Sequence, residues 1–201
     1  MPQSRRYKKK KSAGKAILAW IIVLAILAAG VFVFVSVFYE DAKKKLDEMN
    51  YPRTYSTYVE KAAKDYDLDP ALIYAVIHTE SGFDPKAESG VGAKGVMQMM
   101  PSSFEWLQEQ RGCAGQYTED DLFDPEICID YGSYLLKYFY DYYGTERSAI
   151  AAYNAGFVVS DWLNDTNYSS DGKNLDSIPY PETENYVDKV ESANKMYINL
   201  Y

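Results

Sequence analysis

Apolar residues in this chain occur in two kinds of run, and the two predict different surroundings. Residues 16–38, AILAWIIVLAILAAGVFVFVSVF, carry no charged side chain over 23 positions. As a helix this run spans about 34 Å, enough to cross a hydrocarbon layer of about 30 Å. A cleaved leader is the alternative, but its apolar stretch typically covers only about 7–15 residues and ends at a small-residue site. The segment that follows here, YEDAKKKLDEMN, offers no such site. The run is therefore expected to be an uncleaved single-pass membrane helix. From about residue 51 onward, apolar positions recur every three or four residues instead, as in amphipathic helices.

In the second region STYVEKAAKDYDL sets Val59, Ala62, Ala63 and Tyr66 on one face. The next segment, DPALIYAVIHTESG, opens with Asp69 as N-cap and Pro70 at the first helical position, and Gly82 follows its end. PSSFEWLQEQ and DPEICIDYGSYLLKYFYDYYG begin in the same manner, at Pro101 and at Asp124-Pro125. ERSAIAAYNAG is a short helix stopped by Gly156, and GFVVSDWLND adds another. PETENYVDKVESANKMYINLY is a last helix with Tyr186, Val190, Ala193 and Tyr197 on one face. Almost nothing alternates with period two, apart from a possible hairpin near Val96–Met99. The expected class is mostly α. The expected domains are a basic tail (1–15), a membrane helix (16–38), a stalk (39–50) and a compact domain (51–201).

Charge adds an orientation and removes a partner. The net charge is −8, yet residues 1–15 hold seven Lys/Arg and no acid, leaving 14 basic against 29 acidic residues downstream. The basic tail should remain cytoplasmic, with everything after Phe38 outside. A net of −15 on the remainder argues against nucleic acid as a partner. The two cysteines, Cys113 and Cys128, lie on the external side and are expected to pair, two free thiols being the alternative.

The most informative stretch is IHTESGFDPKAESGVGAKGVMQMMP, residues 77–101. On a helical wheel Ile73, Val76 and Ile77 lie within about 60° of Glu80, so this carboxylate continues the buried stripe. Desolvation there raises its pKa and keeps a proton available near neutral pH, which a general acid acting on an acetal oxygen needs. The sole histidine, His78, sits about 160° away on the wheel and is expected to be solvated or capping. One His and two Cys argue against a zinc site or a Ser-His-Asp triad, so no metal is expected. DYDLDP imitates the start of a calcium loop, but Pro70 stands at its glycine position and Val76 at its glutamate position. Asp69 is read as an N-cap.

The chain resembles the Slt-type lytic transglycosylases, whose domain is lysozyme-like. The likeness runs through ALIYAVIHTESGFDPKAESGVGAKGVMQMMP, DLFDPEICIDYGSYLLKYF, AIAAYNAG and IPYPETENYVDKV, in that order, and covers most of residues 51–190. It implies that Glu80 is the catalytic acid and base, and that Ser89, Met97 and Gln98 line a saccharide groove. It also implies that Tyr153 and Asn154 face the reacting sugar and that Glu182 and Tyr186 close the far wall. Val96 replaces the usual Leu, and LQEQRGCAGQYTEDDL adds acids and Cys113 at the groove's edge. Met99 and Met100 are expected in the core, Met97 in the groove.

The mechanism implied is substrate-assisted and needs no cofactor. Glu80 protonates the glycosidic oxygen between MurNAc and GlcNAc in peptidoglycan strands, and the substrate's N-acetyl oxygen attacks C1. Glu80 then takes the C6 hydroxyl proton as a 1,6-anhydro ring closes. A hydrolysing muramidase would need a second acid, for which Asp84, Glu88 and Glu184 are available. A non-catalytic wall-binding module is the third reading, against which intact Glu80, Gln98 and AYNAG argue.

Overall fold

The computed structural model describes the backbone of residues 4–201 and the side chains of residues 14–201. The side chains of most of the basic tail thus lie outside the described residues. The chain divides into two units at Asn50/Tyr51. The first is one continuous helix, α1 (Ser4–Asn50), whose large apolar side chains from Ile17 to Phe38 are mostly exposed. The stretch expected as a stalk continues this helix without a break.

The second unit packs seven helices: α2 (Ser56–Tyr66), α3 (Pro70–Ser81), α4 (Pro101–Gln110), α5 (Pro125–Tyr143), α6 (Glu146–Ala155), α7 (Val159–Leu163) and α8 (Pro181–Leu200). Two 3₁₀ turns, Glu119–Phe123 and Gly156–Val158, connect them. Among the described residues there is no strand. The hairpin expected near Val96–Met99 reduces to the isolated bridges Glu88–Lys94 and Lys94–Met99.

Capping residues set the helix starts. Asp69 accepts from the Ala71 N–H at 2.8 Å, Asp124 from the Glu126 N–H at 2.9 Å, and Thr145 from the Ser148 N–H at 3.3 Å. Gly82 ends α3 in the left-handed region, at φ 59°, and returns its N–H to the His78 carbonyl. Helix α3 is enclosed: all seven residues from Ala71 to Ile77 are buried. It packs against α8, whose Tyr186, Val190, Ala193 and Tyr197 form the expected buried stripe. The Tyr74 and Tyr197 rings stack at 5.3 Å, and Tyr197 donates to the Pro52 carbonyl, fixing the entry of the chain into this unit. Helices α5 and α6 close the other side, α5 against α2 and α6 against α8.

Candidate active site

A buried helix that ends in an acid delivers that acid into the domain. Glu80, in the last turn of α3, is partly buried and accepts a 2.8 Å hydrogen bond from the Tyr186 hydroxyl of α8. Burial pushes its pKa up from 4.5 to about 7, against the opposing pull of the Tyr186 bond. The Tyr153 hydroxyl of α6 lies in the same electrostatic neighbourhood and donates to the Met97 carbonyl at 2.9 Å. Burial first, and then the Glu80 charge, hold both phenols well above the ordinary tyrosine value, so both remain donors. Three elements distant in sequence thus converge on one carboxyl.

The loop after α3 holds its own shape. Ser81 donates to the Val96 carbonyl at 2.8 Å and accepts from the Phe83 N–H, tying the helix end to the loop's far limb. Ser89 accepts from the Ala93 N–H at 2.9 Å, which closes the loop tip. Gln98, at φ 47°, uses both amide protons within the loop, donating to the Ala87 and Gly95 carbonyls. Gly95, at φ 75°, is required: a Cβ there would stand 2.0 Å from the Leu122 carbonyl oxygen. Beneath it the Cys128 sulfur accepts from the Met97 N–H at 3.4 Å. Lys94 reaches out to Glu119 and Asp120 at 2.9 and 3.0 Å, pinning the 3₁₀ turn to the loop.

Several expectations need correction. Met97 is wholly buried, its sulfur pressed on Gly132 of α5, where a Cβ would meet it at 2.5 Å. Met100, expected in the core, is 38% exposed just ahead of α4. Met97 is enclosed because it sits inside the tight turn closed by the Lys94–Met99 bridge. Cys113 and Cys128 are free rather than paired. Cys128 Sγ is engaged with the Lys94 and Met97 backbone, whereas Cys113 Sγ lies 3.3 Å from the Tyr131 hydroxyl. His78 is neither a cap nor simply solvated: its ring stacks on Tyr51 at 4.8 Å, on a different side of α3 from Glu80.

Of the remaining candidates, Asn154 is exposed at the end of α6, and its side-chain oxygen accepts from the Thr183 hydroxyl at 2.8 Å. Glu182 is exposed in the first turn of α8. The structure therefore hydrogen-bonds Glu80 to Tyr186 and Tyr153 to the Met97 backbone, with Tyr153 within electrostatic reach of Glu80, and gives Ser89 and Gln98 bonds within the loop. Thr183 and Ser81 are supporting residues that sequence reasoning passed over, and Cys128, expected in a disulfide, supports the loop as a thiol instead. Only Gly132, a glycine inside a helical pattern, signalled close packing. Among the described residues no cluster of His, Cys, Asp or Glu could hold a metal ion.

Residues 57–175 match the family model for the transglycosylase SLT domain. The soluble lytic murein transglycosylase of Escherichia coli K12 is 31% identical over 153 residues, covering 75% of this chain and 24% of that protein. The crystal structure of the 70 kDa soluble lytic transglycosylase from Escherichia coli aligns with a TM-score of 0.68 at 28% identity, over 76% of this chain and 25% of that one. An inactive glutamate-to-glutamine mutant of Slt from Pseudomonas aeruginosa aligns at 0.66 with 30% identity, over 76% and 25%. This chain spans about a quarter of the length of these relatives. With more than half of its residues inside the family model and the lysozyme-like helices folded around Glu80, the chain belongs to the transglycosylase SLT domain family.

Proposed function

We propose that this chain is a membrane-anchored lytic transglycosylase that cuts MurNAc–GlcNAc bonds in peptidoglycan and leaves 1,6-anhydroMurNAc ends. The observation that carries the reading is a single carboxyl, Glu80, partly buried at a helix end, hydrogen-bonded by Tyr186 and with its pKa raised to about 7. A group with that pKa holds a proton for the leaving oxygen and accepts one back within the same turnover. The acids that a hydrolytic mechanism would recruit, Asp84, Glu88 and Glu184, are exposed, and none shares the hydrogen bonds around Glu80. That favours intramolecular closure by the C6 hydroxyl over attack by an activated water.

In the first step Glu80 gives its proton to the glycosidic oxygen, the C1–O bond breaks, and the acetamido oxygen bonds to C1. In the second, ionised Glu80 removes the C6 hydroxyl proton, O6 bonds to C1, and the acetamido oxygen leaves. Asn154, with its oxygen occupied by Thr183, presents its amide N–H groups to the acetamido carbonyl. Tyr153 holds the Met97 backbone against the reacting centre. Ser89 and Gln98 keep the loop wall in place, and Glu182 closes the opposite wall. An inactive glutamate-to-glutamine variant of a Slt relative is consistent with dependence on one acid.

Residues 16–38 serve as the membrane span. Helix α1 is long and apolar enough to cross a bilayer, with mean hydropathy 3.0 over its most apolar window. The basic tail places the N-terminus in the cytoplasm and residues 51–201 outside.

The test is digestion of purified peptidoglycan by the full chain in detergent micelles, followed by mass spectrometry of the muropeptides. Anhydro-ended fragments are expected, and Glu80→Gln should lower their release by roughly 10³-fold or more with helicity intact. Borohydride-reducible ends would reject the proposed chemistry, and no release at all would reject an enzymatic role.

A further inference from the structure

An aromatic surface next to the site has no role in the chemistry above. Gly156 ends α6, two residues beyond Asn154, and the chain then presents Phe157, which is 48% exposed. Four rings meet Phe157 at steep angles: Trp106 at 6.4 Å, Tyr138 at 6.2 Å, Phe139 at 5.4 Å and Tyr142 at 5.7 Å. Each arrangement is edge-to-face, the favourable geometry for aromatic quadrupoles. The Phe157 ring is therefore locked from several sides and still open to solvent. Tyr142, 58% exposed, stacks on Tyr138 and extends the surface. The Tyr143 hydroxyl fastens the backbone beneath it, 3.1 Å from the Ser160 hydroxyl and 3.5 Å from the Phe157 carbonyl.

We infer that this platform, centred on Phe157 and Tyr142, is an outlying saccharide subsite that grips the glycan strand away from the bond being cut. The inference rests on the proposed peptidoglycan activity and extends it to strand length. Two features of the molecule select a sugar chain as the occupant. The platform starts close to the active site, since Phe157 follows the exposed Asn154 by only three positions, a backbone span of at most about 10 Å. Its charged surroundings are mostly acidic: Asp141, Asp161 and Glu105 are exposed, and nearby Lys137 is paired with Asp141 at 2.7 Å. Carboxylates repel an anionic lipid surface but tolerate a pyranose, which offers C–H faces to rings and hydroxyls to acids. Rigid rings lose little freedom when a sugar stacks on them, so the surface is prepared for that contact.

Calorimetric titration tests this, using the full chain in nanodiscs with Glu80→Gln to prevent cleavage. The probes are glycan strands stripped of stem peptides and sorted by length. Phe157→Ala and Tyr142→Ala should each weaken binding of long strands about tenfold. The loss should shrink as strands shorten to a tetrasaccharide, and Phe157→Tyr should restore the affinity. Affinity for long strands unchanged in both alanine variants would overturn the inference, as would an equal loss at every length. Two further results count against it: dissociation of a dimer in the alanine variants with glycan affinity intact, or quenching of Trp106 by brominated lipid in a variant whose other tryptophans, Trp20 and Trp162, are replaced by Phe. A failed platform leaves anhydro-ended products in the wild-type digest, whereas failure of the activity reading removes them, so the two are told apart.

Discussion

Helices α1 and α3 are built from the same kinds of residue and meet opposite surroundings. In α1 the side chains of Ile17, Leu24, Ile26 and Phe34 are all more than half exposed, while in α3 every residue from Ala71 to Ile77 is buried. Composition does not separate them; length and punctuation do. The uncharged run in α1 reaches about 34 Å, whereas the 12 residues of α3 reach about 18 Å and are bounded by Asp69, Pro70 and Gly82. A short capped apolar helix is wrapped by its own chain, whereas the long apolar run keeps most of its side chains exposed. The wrapping has a chemical product, because the acid on the last turn of α3 inherits the low polarity around it.

The comparison is broken most severely by equal truncations in the two helices. Ile73→Ala should cost the domain about 2–5 kcal/mol, and Ile26→Ala should leave its melting temperature unchanged, as read by circular dichroism of each variant in detergent. Next in size is the cost of ionising the acid that α3 buries. The folded carboxyl keeps its proton up to about pH 7, while in the unfolded chain Glu80 releases it near 4.5. The native state therefore binds more protons in that window. This contribution to stability is fully present below pH 4.5 and is lost as pH rises through 7, by up to about 3 kcal/mol. Glu80→Gln removes the dependence, so it should melt with the wild type at low pH and above it at pH 8; parallel curves across the range would contradict this. The smallest effect concerns Tyr186. Its bond favours the ionised carboxylate, so Tyr186→Phe should move the alkaline limb of the activity profile up by about one pH unit.

What the sequence revealed follows from how local each feature is. The start of α3 and the inward direction of Glu80 depend on spacing within one helix, and both were readable from Asp69-Pro70 and the Ile73–Val76–Ile77 stripe. Helices α4, α5, α6 and α8 were similarly marked by proline or glycine, and α2 by its apolar spacing. Met99 is buried as expected, but Met97 and Met100 differ from expectation because a non-repeating loop has no period to tell inside from outside. The cysteine pairing failed for a related reason: fifteen residues of chain permit a bridge, but the turn of Lys94–Met97 over α5 claims the Cys128 sulfur first. The Thr183–Asn154 bond joins residues 29 apart on two helices, and no local pattern announces it.

The unequal situation of the two sulfurs gives the experimenter a handle. Cys128 is wholly enclosed and burial pushes its thiol up to about 12, so at neutral pH it offers almost no thiolate to an electrophilic dye. Cys113, partly open on the loop after α4, is the one position a maleimide reaches. Native protein thus accepts a single fluorophore without any engineered change, and uptake of a second dye equivalent reports that the turn over α5 has come apart.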